Sequence, residues 1–264
     1  MNLFDLLASA RCDRSRVVIP GQWSQGRACY GGLMAALLYE AMAARAPGRP
    51  VRSLAITFVG PAQAEVPISF EVELLREGKA VTSLLGRAVQ GGQVMTLIQG
   101  SFGLPRDSQV SFSNAPVAEM KSLEQSTPIP YIEGLTPEYI RHLDMRWGIG
   151  GMPFSNTPSP AIGGWVQLRG EVPDAPVDEA HLLALVDAWP PALVTHLDHF
   201  APGSSLTWTI EFVQPMPAAS TRDWFRYRAN IEHARDGYGH TAAALWTAEG
   251  QLLALSRQTV TVFG

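Results

Sequence analysis

The fold of this chain is decided by the stretch Tyr30-Gly31-Gly32-Leu33-Met34-Ala35-Ala36-Leu37-Leu38. Read as a helix, it is apolar on every side, which is typical of a buried helix and not of a surface one. The glycines at its start leave the free backbone N–H donors open to the approach of another group. The helix is predicted to continue to about Arg45, because Ala46-Pro47-Gly48 ends it.

Four strand candidates follow the helix, at residues 54–59, 68–75, 80–90 and 94–102. The pairs Glu77-Gly78 and Gly91-Gly92 separate the last three and are hairpin signals, so these strands are expected to be antiparallel neighbours. One long buried helix followed by an antiparallel meander predicts a sheet wrapped around that helix.

The second half of the chain repeats the first. Leu54–Pro61 falls on Trp208–Pro215 at an offset of 154 residues, and Gly92-Gln93 falls on Gly250-Gln251 at an offset of 158. The order of helix, proline-ended strand, hairpins and final strand is the same in both halves. The sequence therefore predicts an α+β fold of two copies of one unit, which pair their sheets edge to edge and leave both helices on the concave side.

The two units are predicted at residues 1–104 and 161–264. Between them, residues 105–160 are rich in Pro, Ser and Gly, which indicates an inter-repeat linker with a short helix near Pro137–Leu143. The helix of the second unit is predicted from the N-cap Asp178 to about Trp189, where Pro190-Pro191 interrupts it.

The composition sets limits on function. The chain of 264 residues is 46% hydrophobic and 17% charged, which is enough for a large core. Its net charge of -4, with Lys and Arg scattered, argues against a nucleic-acid partner. No apolar window approaches a membrane span, and the start of the chain is unlike a secretory signal, so we expect a soluble cytoplasmic protein that does not enter the membrane.

The second predicted helix holds one conspicuous polar residue. Between Leu182 and Trp189, Asp187 is the single ionisable side chain. A carboxylate in such a run is costly to bury unless it is hydrogen-bonded, so Asp187 is either functional or close enough to the helix end to reach water.

Other candidates carry weaker signals. No Gly-x-Ser-x-Gly elbow surrounds any serine. The cluster His196-Leu197-Asp198-His199 lacks a third ligand partner, and a polar loop is its better interpretation. Glu40 is interpreted as a solvated helix end. We therefore predict no metal and no cofactor.

The motifs, in this order and duplicated, resemble the double-hotdog acyl-CoA thioesterases related to bacterial acyl-CoA thioesterase II. In the first half the resemblance rests on Tyr30-Gly31-Gly32, Leu75–Lys79, Val89–Gly92 and Thr96–Phe102, and in the second on Asp187, Phe212–Pro215 and Gly250–Gln258. It implies two hotdog units, each a long helix wrapped by an antiparallel sheet, and hydrolysis of acyl-CoA to free acid and CoA.

The resemblance also implies site residues. In the family an Asp on the second helix, a Thr or Ser entering the next strand and a Gln in the last strand hold the attacking water. These map to Asp187, Ser205 (with Ser204 as the alternative register) and Gln258. The helix start at Tyr30, Gly31 and Gly32 is predicted to bind substrate, since its backbone N–H groups suit a developing oxyanion.

Departures from the family pattern keep alternatives open. Serine replaces the usual threonine, and Thr259-Val260 follows Gln258 where an acidic residue and glycine are common. One alternative is an acyl-CoA-binding hotdog protein without catalysis. Another is a hotdog dehydratase or hydratase, for which His181 is the candidate histidine. Hotdog sheets often associate, so a homo-oligomer is expected.

Overall fold

The computed structural model describes residues 1–262; the last two residues of the predicted second unit lie outside the described residues. The helices are α1 (Leu3–Cys12), α2 (Gly31–Ala43) and α3 (Glu179–Val186), with short 3-10 helices at Gly21–Trp23, Glu138–His142 and Ala192–His196. The strands are β1 (Ser24–Gln25), β2 (Ala28–Cys29), β3 (Val51–Phe58), β4 (Ser69–Glu77), β5 (Val81–Gln90), β6 (Gln93–Gly103), β7 (Thr127–Ile129), β8 (Leu143–Ile149), β9 (Ala161–Leu168), β10 (Gly203–Phe212), β11 (Phe225–Arg235), β12 (Tyr238–Thr247) and β13 (Leu252–Val262).

One antiparallel sheet of 11 strands carries both repeats, in the order β4-β5-β6-β3-β10-β13-β12-β11-β9-β8-β7. The first repeat reads β4-β5-β6-β3 and the second reads the reverse, β10-β13-β12-β11, so the two halves are related by a pseudo-two-fold axis. That axis passes through Ala55 and Thr209, which pair directly across β3 and β10 and differ by the same 154 residues as the sequence repeat. The predicted α+β fold with sheets joined edge to edge is confirmed.

Helices α2 and α3 pack against each other on the same face of the sheet. The Tyr30 hydroxyl at the start of α2 donates to the Ala184 carbonyl oxygen near the end of α3, over 2.6 Å. At the other end, the Tyr39 hydroxyl of α2 donates to the carboxylate of Glu179, the first residue of α3, over 2.9 Å. The helices therefore run antiparallel, and the end of α3 meets the start of α2.

Part of the segment predicted as a linker belongs to the sheet. Strands β7 and β8, and the 3-10 helix Glu138–His142, all lie within residues 105–160. Strand β8 pairs with β9 along most of its length, and its side chains alternate between more and less buried positions. The surrounding Pro, Ser and Gly residues obscure this alternation in the sequence.

Helix α3 ends immediately before Asp187, the residue that is predicted to be catalytic. Its N-cap Asp178 accepts a hydrogen bond from the backbone N–H of His181 over 3.1 Å, as predicted. Its C-cap is Asp187, because Pro190 and Pro191 prevent a longer helix. The cap position directs the Asp187 side chain away from the apolar body of α3. Within residues 1–262, none of the helices combines the length and the hydrophobicity needed to cross a bilayer.

Candidate active site

The carboxylate of Asp187 lies against the start of α2, in the other repeat. A β-carbon added to Gly31 would lie 2.9 Å from Asp187 Oδ2 and 3.1 Å from the ring of Phe58. Any larger residue at position 31 would press on the carboxylate, so glycine is required there by space. The sequence predicts that another group approaches the glycine-rich start of α2, and in the structure that group is the carboxylate of Asp187.

Hydrogen bonds connect Asp187 to Gln258 and Gln258 to Ser205. Gln258 Nε2 donates to Asp187 Oδ1 over 2.9 Å, and the Ser205 hydroxyl donates to Gln258 Oε1 over 3.3 Å. The Ser204 side chain is exposed, and among residues 1–262 its hydroxyl donates only to the neighbouring backbone carbonyl of Ser205, at 3.4 Å. The structure thus brings together the three side chains named from the sequence, with Ser205 and not Ser204 beside Gln258.

A β-bulge gives Ser205 this position. Gln258 pairs with Trp208, but the register shifts between Thr207 and Ser205, so that Ser205 pairs with Val260. In a regular strand Leu206 would occupy the place opposite Val260, and it is exposed instead. The bulge therefore turns the serine hydroxyl toward Gln258, which is a common role of bulges near functional sites.

Burial raises the pKa of Asp187 to about 7, well above the ordinary value of an aspartate. Two hydrogen bonds oppose this shift, one from the Gln258 amide and one from the backbone N–H of Gly32. As whole residues, Asp187, Gln258, Ser205 and Gly31 are partly exposed. A poorly solvated carboxylate with a pKa near neutral is suited to take a proton near neutral pH.

Tyr30 holds the helices and does not line an open surface. Its ring is completely buried and stacks on Tyr139, with centroids 4.0 Å apart, and its hydroxyl is bonded to the Ala184 carbonyl. The Tyr139 hydroxyl donates to the carbonyl oxygen of Ala188 over 3.0 Å. The two tyrosines thus fix the backbone on both sides of Asp187, and the structure gives Tyr30 a supporting position in place of the substrate contact expected from the sequence.

Residues that sequence reasoning did not place in the site include Phe58, beside Gly31, and Tyr139. Phe58 stands two residues before the conspicuous Gly60-Pro61, and Tyr139 lies in the predicted linker. The aromatic character of both was visible, but a contact across repeats gives no local pattern to detect it by. Only the assembled sheet and helices bring them to Asp187.

The first repeat does not carry the same groups at the equivalent positions. Gly100 pairs with Leu54 as Gln258 pairs with Trp208, so glycine stands where the amide would be. Val51, before a bulge of its own, stands where Ser205 does. The pseudo-two-fold axis therefore relates the candidate site in the second repeat to a position in the first repeat that is lined by apolar residues.

Met42 of α2 fills that apolar place. A β-carbon on Gly100 would lie 2.8 Å from Met42 Cε, and one on Gly86 would lie 2.7 Å from Met42 Sδ. The two glycines make room for the methionine side chain, which packs between helix and sheet. The candidate side chains Asp187, Ser205 and Gln258 therefore all belong to the second repeat, and the first repeat supplies Gly31 and Gly32.

The remaining candidates are engaged elsewhere. His181 lies at the far end of α3 from Asp187, where its Nδ1 lies 3.2 Å from the backbone nitrogen of Asp178. Glu40 is not a solvated helix end, because it is mostly buried and accepts two hydrogen bonds from Arg11. Across residues 1–262, no three His, Cys, Asp or Glu side chains are arranged to share a metal ion.

Comparisons with known proteins identify related domains in both halves of the chain. A family model described as the acyl-CoA thioesterase N-terminal domain matches residues 19–103, and one described as the C-terminal domain matches residues 123–262. Acyl-CoA thioesterase 2 of Haemophilus influenzae is 25% identical over an alignment of 254 residues, and the match covers 88% of this chain and 86% of that protein.

Solved structures confirm the hotdog fold expected from the resemblance. A hotdog-fold protein of Alicyclobacillus acidocaldarius superposes with a TM-score of 0.80 at 21% identity, covering 94% of this chain and 92% of its own. The TesB protein of Mycobacterium avium subspecies paratuberculosis superposes with a TM-score of 0.78 at 20% identity, covering 100% of both chains. With family models matched in both repeats, the chain belongs to the acyl-CoA thioesterase family.

Proposed function

We propose that this protein hydrolyses acyl-CoA to free acid and CoA with a single water molecule held by Asp187, Gln258 and Ser205. The observation that carries the proposal is the Asp187 carboxylate, with its raised pKa and its hydrogen-bonded chain to Gln258 and Ser205. A thioester carbonyl is electrophilic enough for a water activated in this way, without a covalent enzyme intermediate.

The reaction follows from the residues. Asp187 takes a proton from the water as its oxygen attacks the carbonyl carbon of the thioester. The tetrahedral intermediate collapses with cleavage of the carbon–sulfur bond, and the proton held by Asp187 passes to the departing thiolate. Gln258 fixes the orientation of the carboxylate, and Ser205 fixes the amide of Gln258. Since the backbone N–H of Gly32 already donates to Asp187, the backbone N–H of Gly31 is the candidate donor for the developing oxyanion.

The pH dependence of the reaction follows from Asp187. A base must be ionised, and with a pKa of about 7 the carboxylate is mostly protonated below that pH. We expect kcat/KM to rise about tenfold per pH unit below pH ~7 and to level off above it. Hydrolysis of one acyl-CoA across pH 5 to 9 measures this. A flat profile through pH 7 contradicts the assignment of Asp187 as base.

The Gln258→Leu variant sharpens the pH test. Gln258 donates the hydrogen bond that holds the pKa of Asp187 down, so its loss should move the inflection of the profile to higher pH. An unmoved inflection would show that the titrating group is not Asp187.

Ser205 and Ser204 provide a matched pair of variants. Ser205→Ala removes the hydroxyl bonded to Gln258 and is expected to lower kcat about tenfold, the value of one orienting hydrogen bond in the transition state. Ser204→Ala removes an exposed hydroxyl one residue away, and kcat should stay within about twofold. Equal losses in the two variants, or a larger loss in Ser204→Ala, would reverse the choice of register.

Free CoA released from a panel of acyl-CoAs, from acetyl-CoA to palmitoyl-CoA, tests the function as a whole. Tight binding by calorimetry without release of CoA would favour the acyl-CoA-binding alternative. His181 takes part in the N-terminal cap of α3, at the far end of that helix from Asp187. It therefore gives the hydratase alternative no support. A cytoplasmic location, a role in fatty acid metabolism and assembly into a homo-oligomer belong to the same proposal, and light scattering of the purified protein tests the last.

A further inference from the structure

A row of neighbouring residues extends from Gln258 across the core-facing side of the sheet. Thr241 pairs with Gln258 across β12 and β13, and Ala243, two residues further along β12, faces the same side. Ile231 of β11 pairs with Thr241 and belongs to the same row. Core-facing residues in the middle of a sheet are normally sealed, yet Ile231 and Ala243 are partly exposed, as are Gln258 and Asp187. An acyl group bound with its carbonyl beside Asp187 would take this row as its path beyond the carboxylate.

Two stacked aromatic rings close this path. Tyr227 of β11 pairs with Leu245, which is the next core-facing residue of β12 after Ala243. The Trp189 ring stacks on Tyr227, with centroids 5.0 Å apart and planes 7° apart. Because Trp189 follows Asp187 by only two residues, this pair stands at the end of the path on the side of the carboxylate. The charge of Asp187 adds to burial in raising the pKa of Tyr227, which confirms that they are close.

The indole of Trp189 has an unused donor. Its Nε1 is buried and has no hydrogen-bond partner among the described residues. The neighbouring indole of Trp147, tilted against it at 5.5 Å, donates from its own Nε1 to the Gly150 carbonyl over 3.3 Å. A buried N–H without an acceptor is unfavourable and uncommon in native proteins. Phenylalanine would fill the stack without this disadvantage, so the donor requires an explanation.

We propose that Trp189 Nε1–H binds an oxygen substituent on the acyl group, so that the enzyme prefers hydroxyacyl- and oxoacyl-CoAs to plain acyl-CoAs of the same length. This inference rests on the proposed function. The polar parts of CoA do not enter so deep, because the rings of Trp189 and Tyr227 are both more than nine-tenths buried. The acyl group is the part of the substrate that passes beyond the reacting carbon.

The acceptor is neutral. The aromatic rings packed against Trp189, those of Tyr227 and Trp147, carry no positive charge to balance a carboxylate. Asp187 nearby would repel a second negative charge in a place with little water. The chemistry therefore favours a hydroxyl or a keto oxygen and disfavours a dicarboxylic acyl chain.

Matched substrates and matched variants test the inference. Hydrolysis of 3-hydroxybutyryl-, 4-hydroxybutyryl- and acetoacetyl-CoA is compared with that of butyryl-CoA in wild type, Trp189→Phe and Trp147→Phe. We expect wild type to favour at least one oxygenated substrate in kcat/KM by about tenfold, the discrimination given by one buried hydrogen bond. Trp189→Phe should bring that ratio to about one, whereas Trp147→Phe, whose indole already has an acceptor, should preserve it.

The outcomes separate the inference from the function beneath it. If Trp189→Phe lowers kcat/KM for oxygenated and plain substrates by the same factor, Trp189 has only a packing role and the inference is wrong. It is also wrong if wild type hydrolyses butyryl-CoA as fast as every oxygenated substrate. If wild type releases CoA from none of the acyl-CoAs tested, the proposed function fails and the inference with it.

Discussion

Asp187→Asn is expected to lower kcat/KM for acyl-CoA hydrolysis by about 10²–10⁴-fold at pH 8, the usual contribution of a general base. Asparagine keeps the size of the side chain and an oxygen that can accept from Gln258 Nε2, so the hydrogen-bond chain to Ser205 survives. What it loses is the ability to take the proton of the attacking water. Steady-state kinetics with a thiol-detecting reagent give the ratio directly, and turnover like that of wild type would refute the mechanism.

The stability of the same variant provides the control. The pKa of Asp187 is about 7 in the folded protein and near the ordinary aspartate value when unfolded. Between these values the folded state holds a proton that the unfolded state has released, so the wild type loses stability as pH rises from about 4 to about 7. Asparagine does not ionise, and the Tm of Asp187→Asn relative to wild type should therefore be higher at pH 8 than at pH 4. A lost rate in a folded protein with this pH trend cannot be attributed to unfolding.

Gly32→Ala is expected to destabilise the protein by about 2 kcal/mol and to lower Tm by roughly 5 °C, with a loss of activity. The added β-carbon would lie 2.5 Å from the Tyr30 hydroxyl and 2.9 Å from the backbone carbonyl oxygen of Leu183. Neither can move freely, because Tyr30 is stacked on Tyr139 and bonded to Ala184, and the carbonyl belongs to α3. The two helices must separate, and Asp187 moves with α3.

Gly21→Ala is the matched control for Gly32→Ala. Its added β-carbon meets one atom, Glu65 Oε1, at an ordinary distance of 3.8 Å, and its backbone is not left-handed. Its Tm should stay within about 1 °C of wild type. Thermal unfolding followed by circular dichroism compares the two variants, and equal melting temperatures would mean that the contact between α2 and α3 tolerates a methyl group.

The repeat could be predicted from the sequence because both copies keep proline and glycine at equivalent strand ends and turns. The proline that follows the strands ending at Phe58 and Phe212 and the glycine in the hairpins are local signals, which can be recognised without knowledge of contacts. Strand β8 has a similar alternation, but its setting among Pro, Ser and Gly conceals it. The sheet also contains three strands outside the two repeats, β9, β8 and β7, and the repeat cannot predict them.

The candidate site was predictable in part and for different reasons. Asp187 stands out alone in an apolar helix, which is a physical signal. Gln258 and Ser205 were named through family resemblance, since an amide or a hydroxyl in a strand is ordinary. The supporting role of Tyr30 and the unpaired donor of Trp189 depend on atoms brought together from distant parts of the chain. The sequence around Tyr30 and around Trp189 contains no pattern that indicates these contacts.

The seam between β3 and β10 has a consequence for how the enzyme behaves on dilution. Asp187 belongs to one repeat and the glycines that meet it belong to the other, so the site is an interface. If the repeats were separate chains, this interface would dissociate as the protein became scarce. A covalent connection keeps the effective concentration of one half near the other constant and high. The connection therefore makes the site independent of the amount of enzyme, even though only one half carries the candidate side chains and Met42 fills the equivalent position in the other.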